Sequence, residues 1–166
     1  MTVSRAEFRD AMARLGAAVN IVTSAGPGGR AGVTASAVCS VTDDPPTLLV
    51  CLNRTSSGNP VFKANGVICV NTLAAGQRPI SEAFSGVGGL TGEARFTHGN
   101  WSTMATGAPV LEDAAVSFDC RIAEVLEKGT HSVFFAEILA IRQGLPGRAL
   151  IWYGRGYHPV GHEVVA

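Results

Sequence analysis

The sequence predicts one mainly β domain, an antiparallel barrel with a few short flanking helices, and three observations carry that expectation. About seven β-rich runs outnumber two or three short helical segments; most runs follow one another through hairpin-length turns; and apolar and polar residues alternate where a run is long enough to show it. With 166 residues, 46% of them apolar, the chain can bury one substantial core. It shows neither an internal repeat nor a low-complexity linker, so residues 1–166 are read as a single domain.

The elements follow in order. Ser4-Arg5-Ala6-Glu7 has capping-box spacing, and Phe8, Met12, Leu15 and Val19 recur at helical intervals, which predicts an opening amphipathic helix packed on a sheet. Ile21-Val22-Thr23, a loop through Gly26-Pro27-Gly28-Gly29, and Val33 to Val41 read as two strands of a hairpin. Asp43-Asp44-Pro45-Pro46 turns the chain into the run Thr47 to Leu52. After the polar stretch Arg54 to Asn59 and a helical turn from Pro60, Asn65-Gly66 leads into Val67 to Leu73. A short helix follows Gln77 and ends near Phe84; the glycine-rich stretch Ser85 to Gly92 reads as a mobile surface loop. From Val116 onward, Val116, Phe118, Cys120 and Ile122 face one way and Ser117, Asp119 and Arg121 the other, as in a half-buried strand. Lys128-Gly129-Thr130 turns the chain into Ser132 to Arg142, and Ala149 to Tyr153 is the last strand.

Composition narrows the partners. Lys+Arg and Asp+Glu balance at 13 each, with no basic run, so neither nucleic acid nor an anionic membrane is expected to bind. Charged residues are only 16% of the chain, against ~25% in an ordinary soluble domain, which predicts a surface partly covered by a second subunit or a cofactor. Arg5, Glu7, Arg9, Asp10 and Arg14 interrupt any apolar run in the first nineteen residues, so a cytoplasmic chain is expected. Cys39, Cys51, Cys69 and Cys120 lack C-x-x-C spacing and sit in strand-like runs, as buried free thiols do.

The fingerprints of P-loop, nucleophile-elbow and zincin enzymes are absent, and Gly86-Val87-Gly88 has Thr91 where a dinucleotide fold needs its third glycine. His158 and His162 lack a third ligand, so a solvated tail is expected there and no metal. Asp43-Asp44 reads as a turn, and Glu124 and Glu127 as strand-end surface charges. The positive signal is hydroxyls at Thr34, Ser36, Ser40 and Thr42, whose even spacing puts them on one face of a single strand. Such a face must be wet or meet a polar ligand. Asn53-Arg54-Thr55-Ser56-Ser57 adds small donors and one cation, a set suited to phosphate.

The run Gly32 to Pro46, GVTASAVCSVTDDPP, resembles the signature of the flavin reductase-like, FMN-binding split-barrel family. Val70-Asn71-Thr72-Leu73, Phe84-Ser85-Gly86, Arg95-Phe96, Gly107 to Leu111 and Phe118-Asp119-Cys120 follow in that family's order, so the likeness covers Phe8 to His158. It is greatest to the reductase subunits of two-component monooxygenases, first those of pyrimidine utilisation and next those of 4-hydroxyphenylacetate hydroxylation. The resemblance implies a Greek-key split β-barrel, a homodimer that passes a hydride from NADH to FMN, and delivery of reduced flavin to a separate oxygenase component. FAD in place of FMN and NADPH in place of NADH stay open. It also implies site residues: Thr34, Ala35, Ser36 and Ala37 along the isoalloxazine and ribityl chain; Ser40, Val41 and Thr42 continuing that wall; Cys51, Leu52, Asn53, Ser56 and Ser57 at the ring edge and phosphate; and Phe84 and Tyr157 beside them. The family's Gly-Asp-His turn reads Gly129-Thr130-His131 here, which implies His131 as the catalytic-side residue for the nicotinamide, with Thr130 departing from the pattern. Two other functions remain: a split-barrel flavoprotein that keeps its FMN and binds or oxidises another small molecule, and a non-catalytic barrel.

Overall fold

The computed structural model describes residues 2–161. In chain order its elements are α1 (Arg5–Met12), β1 (Ala17–Ala18), β2 (Asn20–Gly26), β3 (Gly29–Ala35), β4 (Val38–Asp43), β5 (Pro46–Asn53), α2 (Asn59–Asn65), β6 (Val67–Thr72), α3 (Arg78–Phe84), β7 (Trp101–Thr103), β8 (Pro109–Leu111), β9 (Val116–Lys128), β10 (His131–Gln143), β11 (Ala149–Tyr153) and β12 (Gly156–Val160). No helix among the described residues is long and apolar enough to cross a membrane.

Seven strands form one antiparallel sheet in the order β3-β2-β6-β9-β10-β5-β4. The consecutive strands β5 and β6 are separated in it by β9 and β10, and α2 makes the crossing. The sheet curls around Val22, Val50, Leu52, Ile68, Val70 and Phe134, and Phe62 of α2 meets Phe134 edge-on at 6.3 Å between centroids. Burying such side chains stabilises the fold by ~1.5–3 kcal/mol each. Strands β3 and β4 are successive in the chain yet lie at opposite edges of this sheet, so the wall is open along a seam between them.

That seam splits the barrel, as the resemblance implies, and it corrects the expectation of one strand from Val33 to Val41. The strand breaks at Ser36-Ala37: Val38 N bonds the Ser36 carbonyl at 3.0 Å and Cys51 N the Ala37 carbonyl at 3.0 Å, which starts β4 along β5 instead of continuing β3 along β2. The four hydroxyls therefore fall on β3 (Thr34), at the break (Ser36) and on β4 (Ser40 and Thr42), and do not line one strand face.

A second core packs Ile21, Leu73, Phe84, Phe96, Leu111 and Leu150 between the main sheet, α3 and a small sheet in which β11 pairs with β1 and β12. Phe84, Phe96 and Trp101 form an aromatic cluster with centroids 5.0–5.4 Å apart. The Phe84 ring lies so close to β3 that a Cβ on Gly32 would sit 2.4 Å from it.

Three further expectations change. The opening helix has its capping box, with Ser4 N donating to Glu7 Oε2 at 2.9 Å and Glu7 N to Ser4 Oγ at 3.2 Å. It ends at Met12, however, and packs on no sheet. It is tied at its end to the β11–β12 turn by Gly154 N on the Ala13 carbonyl and the Asp10–Arg155 ion pair, and Phe8, Met12 and Leu15 stay exposed. On β9 the alternation holds, but two residues of its polar face are buried while Arg121 stays exposed: β8 and the loop before it cover Ser117 and Asp119. There Asn71 Oδ1 accepts from Leu111 N and Ser117 Oγ, both at 2.8 Å, and Asp119 accepts from Thr106 N at 2.8 Å. The glycine-rich stretch after Phe84 contains a short 3-10 turn at Val87–Gly89, and a second at Gly92–Thr97 begins at its end. The short strands β1, β7, β8 and β12, two to five residues each, went unread because none is long enough to show a period.

Candidate functional site

The seam opens into three contiguous cavities. The first, of about 310 Å³, lies between Thr34, Ala35 and Ser36 of the β3 end, Ser81, Glu82 and Ser85 of α3, and Trp152 and Tyr157 of the β11–β12 hairpin. The second, of about 980 Å³, shares Ser36 and Trp152 with it and continues past Ala37, Cys39, Leu49 and Cys51 under the apolar side of α1. The third, of about 800 Å³, shares Phe8 and Arg9 with the second and reaches Asn53, Arg54, Thr55, Gly129, Thr130 and His131. A separate cavity of about 510 Å³ around Ala74–Gly76 and Leu145–Arg148 gathers none of the expected residues.

Local bonding decides which groups in this groove are available. Thr34 Oγ1 donates to the Ser81 carbonyl at 2.6 Å, and Asn20 Nδ2 holds the Ala35 carbonyl at 3.2 Å, so the end of β3 is fixed. Tyr157 OH pairs with Ser81 Oγ at 2.9 Å, its ring meets Trp152 edge-on at 4.9 Å, and the Arg78 guanidinium lies 5.1 Å from its centroid. Among the described residues the hydroxyls of Ser36, Ser40, Ser56 and Ser57 bond no other protein group. Ser36 is exposed at the break in the wall, with the small residues Ala35 and Ala37 on either side.

At the other end, His131 opens β10 opposite Asn53 of β5, so the turn Gly129-Thr130-His131 and the loop after Asn53 are neighbours by register. Arg54 joins them: its amide donates to the Thr130 carbonyl at 3.0 Å, its Nη1 to the Gly129 carbonyl at 3.3 Å, and its Nε pairs with Glu127 at 2.9 Å. Glu127 also takes Lys63 and Ser132 Oγ, and these partners, Lys63 foremost, hold its carboxyl below the usual range. Glu127 is thus the strand-end surface charge the sequence suggested, and it also ties Arg54, Lys63 and Ser132 together. Asn53 Oδ1 accepts from Thr55 N and Oγ1, each at 2.9 Å, and Asn59 Nδ2 bonds Ser132 Oγ at 3.0 Å beneath the loop. His131 is exposed, and its Nδ1 meets Thr130 Oγ1 at 2.8 Å, so a hydroxyl orients the ring where the family pattern has a carboxylate.

The structure brings Thr34, Ala35, Ser36, Ala37, Cys51, Asn53, Gly129, His131 and Tyr157 to the groove walls. Ser56 and Ser57 lie one and two residues beyond the wall residue Thr55. The others stand elsewhere. Ser40, Val41 and Thr42 are exposed on β4 away from Ser36, with Thr42 Oγ1 accepting from Asp44 N. The side chain of Leu52 points into the barrel core, and that of Phe84 into the aromatic cluster. Cys69 and Cys120 are buried, whereas Cys39 is exposed and Cys51 half-buried, which corrects the expectation of four buried thiols. Burial, with the Asp119 charge second, raises the Cys120 thiol to about 12 and Cys69 further. His162 lies outside the described residues; His158 Nε2 meets the Tyr153 carbonyl at 3.0 Å. Among the described residues no cluster of three or more His, Cys, Asp or Glu is poised for a metal. Sequence reasoning missed the α1 wall (Arg5, Phe8, Arg9) and Trp152; the spacing of four between Arg5 and Arg9 was its one available signal.

The pattern of the "Flavin reductase like domain" family matches residues 12–161. The chain is similar to a protein of Variovorax paradoxus named FMN reductase (NADH) RutF, with 58% identity over 94% of this chain and 86% of that one. It is also similar to a Klebsiella pneumoniae protein of the same name, with 57% identity over 93% of each. Among solved structures, a candidate flavin reductase from Haemophilus somnus superposes with a TM-score of 0.91 at 46% identity, over 95% of this chain and all of that one. The flavin reductase component BorF of a two-component tryptophan halogenase superposes at 0.88 with 24% identity, over 96% of this chain and all of that one, and so shares its fold.

Proposed function

Since this chain belongs to the flavin reductase like domain family, we propose that it is an NADH-dependent FMN reductase that supplies reduced flavin to a separate monooxygenase component. We infer further that it works as a cytoplasmic homodimer. The observation that carries the reading is the groove itself: at one end Ser36 offers a free hydroxyl between the small residues Ala35 and Ala37, and at the other Thr130 orients the His131 imidazole. That donor set fits a flavin, whose ring needs an open flat slot and whose ribityl and phosphate oxygens need hydroxyl, amide and cationic partners.

When bound, flavin would supply the hydride acceptor and the nicotinamide the hydride, chemistry that belongs to the two cofactors. The protein binds and orients. Ser36 and the backbone around Ala35 and Ala37 hold the flavin edge, and Ser56 and Ser57 offer hydroxyls to its phosphate. His131, set by Thr130, bounds the nicotinamide side. Arg54 and Glu127 keep the two subsites in fixed register, so orientation is built before either ligand arrives.

The test is a mixture of the purified chain with excess FMN and NADH, followed at the nicotinamide and flavin absorbance bands. Many turnovers per protein with free FMN are expected. One reduction equivalent per tightly held flavin would replace the reading with a flavoprotein that retains FMN, and absence of flavin binding would replace it with a non-catalytic barrel. Parallel runs with FAD and NADPH fix the preferences.

A further inference from the structure

The cavity at the α1 end holds more positive charge than the flavin-side loop supplies. Its walls carry Arg5, Arg9 and Arg54 with Phe8, Asn53, Thr55, Gly129, Thr130 and His131, and no carboxylate lines it. The three arginines are not equivalent. Arg54 is held by Glu127 and by the Gly129 carbonyl, so the one cation of the Asn53–Ser57 loop is already partnered. Arg5 and Arg9 make no ion pair or side-chain hydrogen bond among the described residues. The acids of the same helix are engaged elsewhere: Glu7 caps Ser4, and Asp10 pairs with Arg155. Arg5 and Arg9 stand one turn apart, so both guanidinium groups serve the same side of α1, with Phe8 beside them.

We propose that Arg5 and Arg9 form a phosphate-ester site that anchors the charged end of a nucleotide substrate against the Gly129–His131 turn. Two unpaired guanidiniums facing a cavity without acids attract a multiply charged anion, and their planar donor forks match phosphoryl oxygens. A volume of about 800 Å³ exceeds what a single inorganic anion fills and falls within the range of small-molecule sites. The ligand class rests on the flavin reductase reading, in which the phosphate is either the terminal group of FMN or the diphosphate of NADH. Either way the charge comes from the N-terminal helix, and α1 acts as a binding wall of the groove.

The decisive experiment compares wild type with the variant R5Q/R9Q, using R14Q as a control for lost charge on an exposed arginine of the same region. Both arginines are exposed and unpaired, so folding is expected to survive, and a thermal melt checks it. FMN, riboflavin and ADP are titrated into ligand-free protein by calorimetry, and NADH is compared in turnover with a phosphate-free N-alkyl dihydronicotinamide. Loss of charge-assisted bonds predicts binding weaker by about ten- to a hundredfold for the phosphate-bearing ligand, with a steep salt dependence in wild type alone. A loss on FMN that spares riboflavin assigns the site to the flavin phosphate. A loss on ADP and on the KM for NADH that spares the phosphate-free donor assigns it to the diphosphate. Unchanged binding of all three ligands and of NADH, or equal losses on riboflavin and FMN, overturns the proposal. Wild type that binds ADP or FMN without turning over would instead remove the reductase reading and leave the site tested by calorimetry.

Discussion

A hydroxyl at position 130 gives His131 a partner that both donates and accepts, whereas a carboxylate there would only accept. The imidazole is therefore oriented by a hydroxyl, with no carboxylate at that position. If His131 bounds the nicotinamide side alone, as proposed above, His131→Ala should raise the KM for NADH, with a smaller fall in kcat, while FMN affinity changes little. Steady-state kinetics with NADH varied at saturating FMN read this directly; a lower melting temperature with wild-type NADH parameters would make it a turn residue only. On the flavin side, the unpartnered hydroxyls of Ser36 and Ser57 predict losses of ~0.5–1.5 kcal/mol for a neutral acceptor and ~1.5–3 for phosphate. Ser57→Ala should accordingly weaken FMN by up to about a hundredfold, and Ser36→Ala by about tenfold or less. Unchanged FMN titrations in both variants would move the flavin off these residues.

Elements explain why such residues meet at all, and β3 is the most constrained of them. Gly32 lets the Phe84 ring lie against the strand two residues before Thr34, and a methyl group there would sit 2.4 Å from Cε1 and 2.8 Å from Cδ1. Gly32→Ala must displace a fully buried ring packed on Phe96 and Trp101, at a cost of about 1–3 kcal/mol. That corresponds to a melting temperature lower by about 2–12 °C, measurable by calorimetry, with FMN affinity falling as the Thr34–Ser81 contact shifts. Strands β6 and β9 carry a second forecast. Cys69 and Cys120 keep their protons in the fold above the ordinary thiol value of 9, so the stability they confer is whole below pH 9 and is lost as pH climbs toward about 12. Melting temperatures between pH 9 and 11 should fall more steeply for wild type than for Cys69→Ala/Cys120→Ala; equal slopes would deny the thiols that role. Turn chemistry made most boundaries legible in the sequence: the capping box at Ser4, Asp43 to Pro46, Asn65-Gly66 and Lys128 to Thr130 all stand where expected. The break at Ser36-Ala37 was illegible, since it holds neither glycine nor proline and period-two alternation runs through it. The buried face of β9 was illegible for another reason: a Ser/Asp/Arg pattern reports which residues share a face, and not that β8 covers two of them.

Across the whole molecule, the seam between β3 and β4 links fold to function, because a barrel left open along one line offers unpaired strand edges and a groove in the same place. The resemblance placed residues of β3 and β5 together on that groove; charge placement along α1 could not be read, since it depends on a helix standing off the sheet. That helix also bears on assembly. Phe8, Met12 and Leu15 are 59%, 46% and 60% exposed around one end of the groove, and Leu139 and Ile141 are each 53% exposed on β10. With charged residues at 16% of the sequence, little repels a second copy from either surface. A homodimer covering part of this apolar area would exclude water from the groove as well, and flavin beside the interface would then gain affinity from assembly. Sedimentation at micromolar concentration should give a dimer near twice 17.2 kDa, tightened by FMN. Substituting Met12→Asp and Ile141→Asp one at a time identifies the buried surface by which variant dissociates. A monomer for wild type, with FMN bound at full affinity, would show that one chain suffices and that the apolar residues of α1 serve the groove alone.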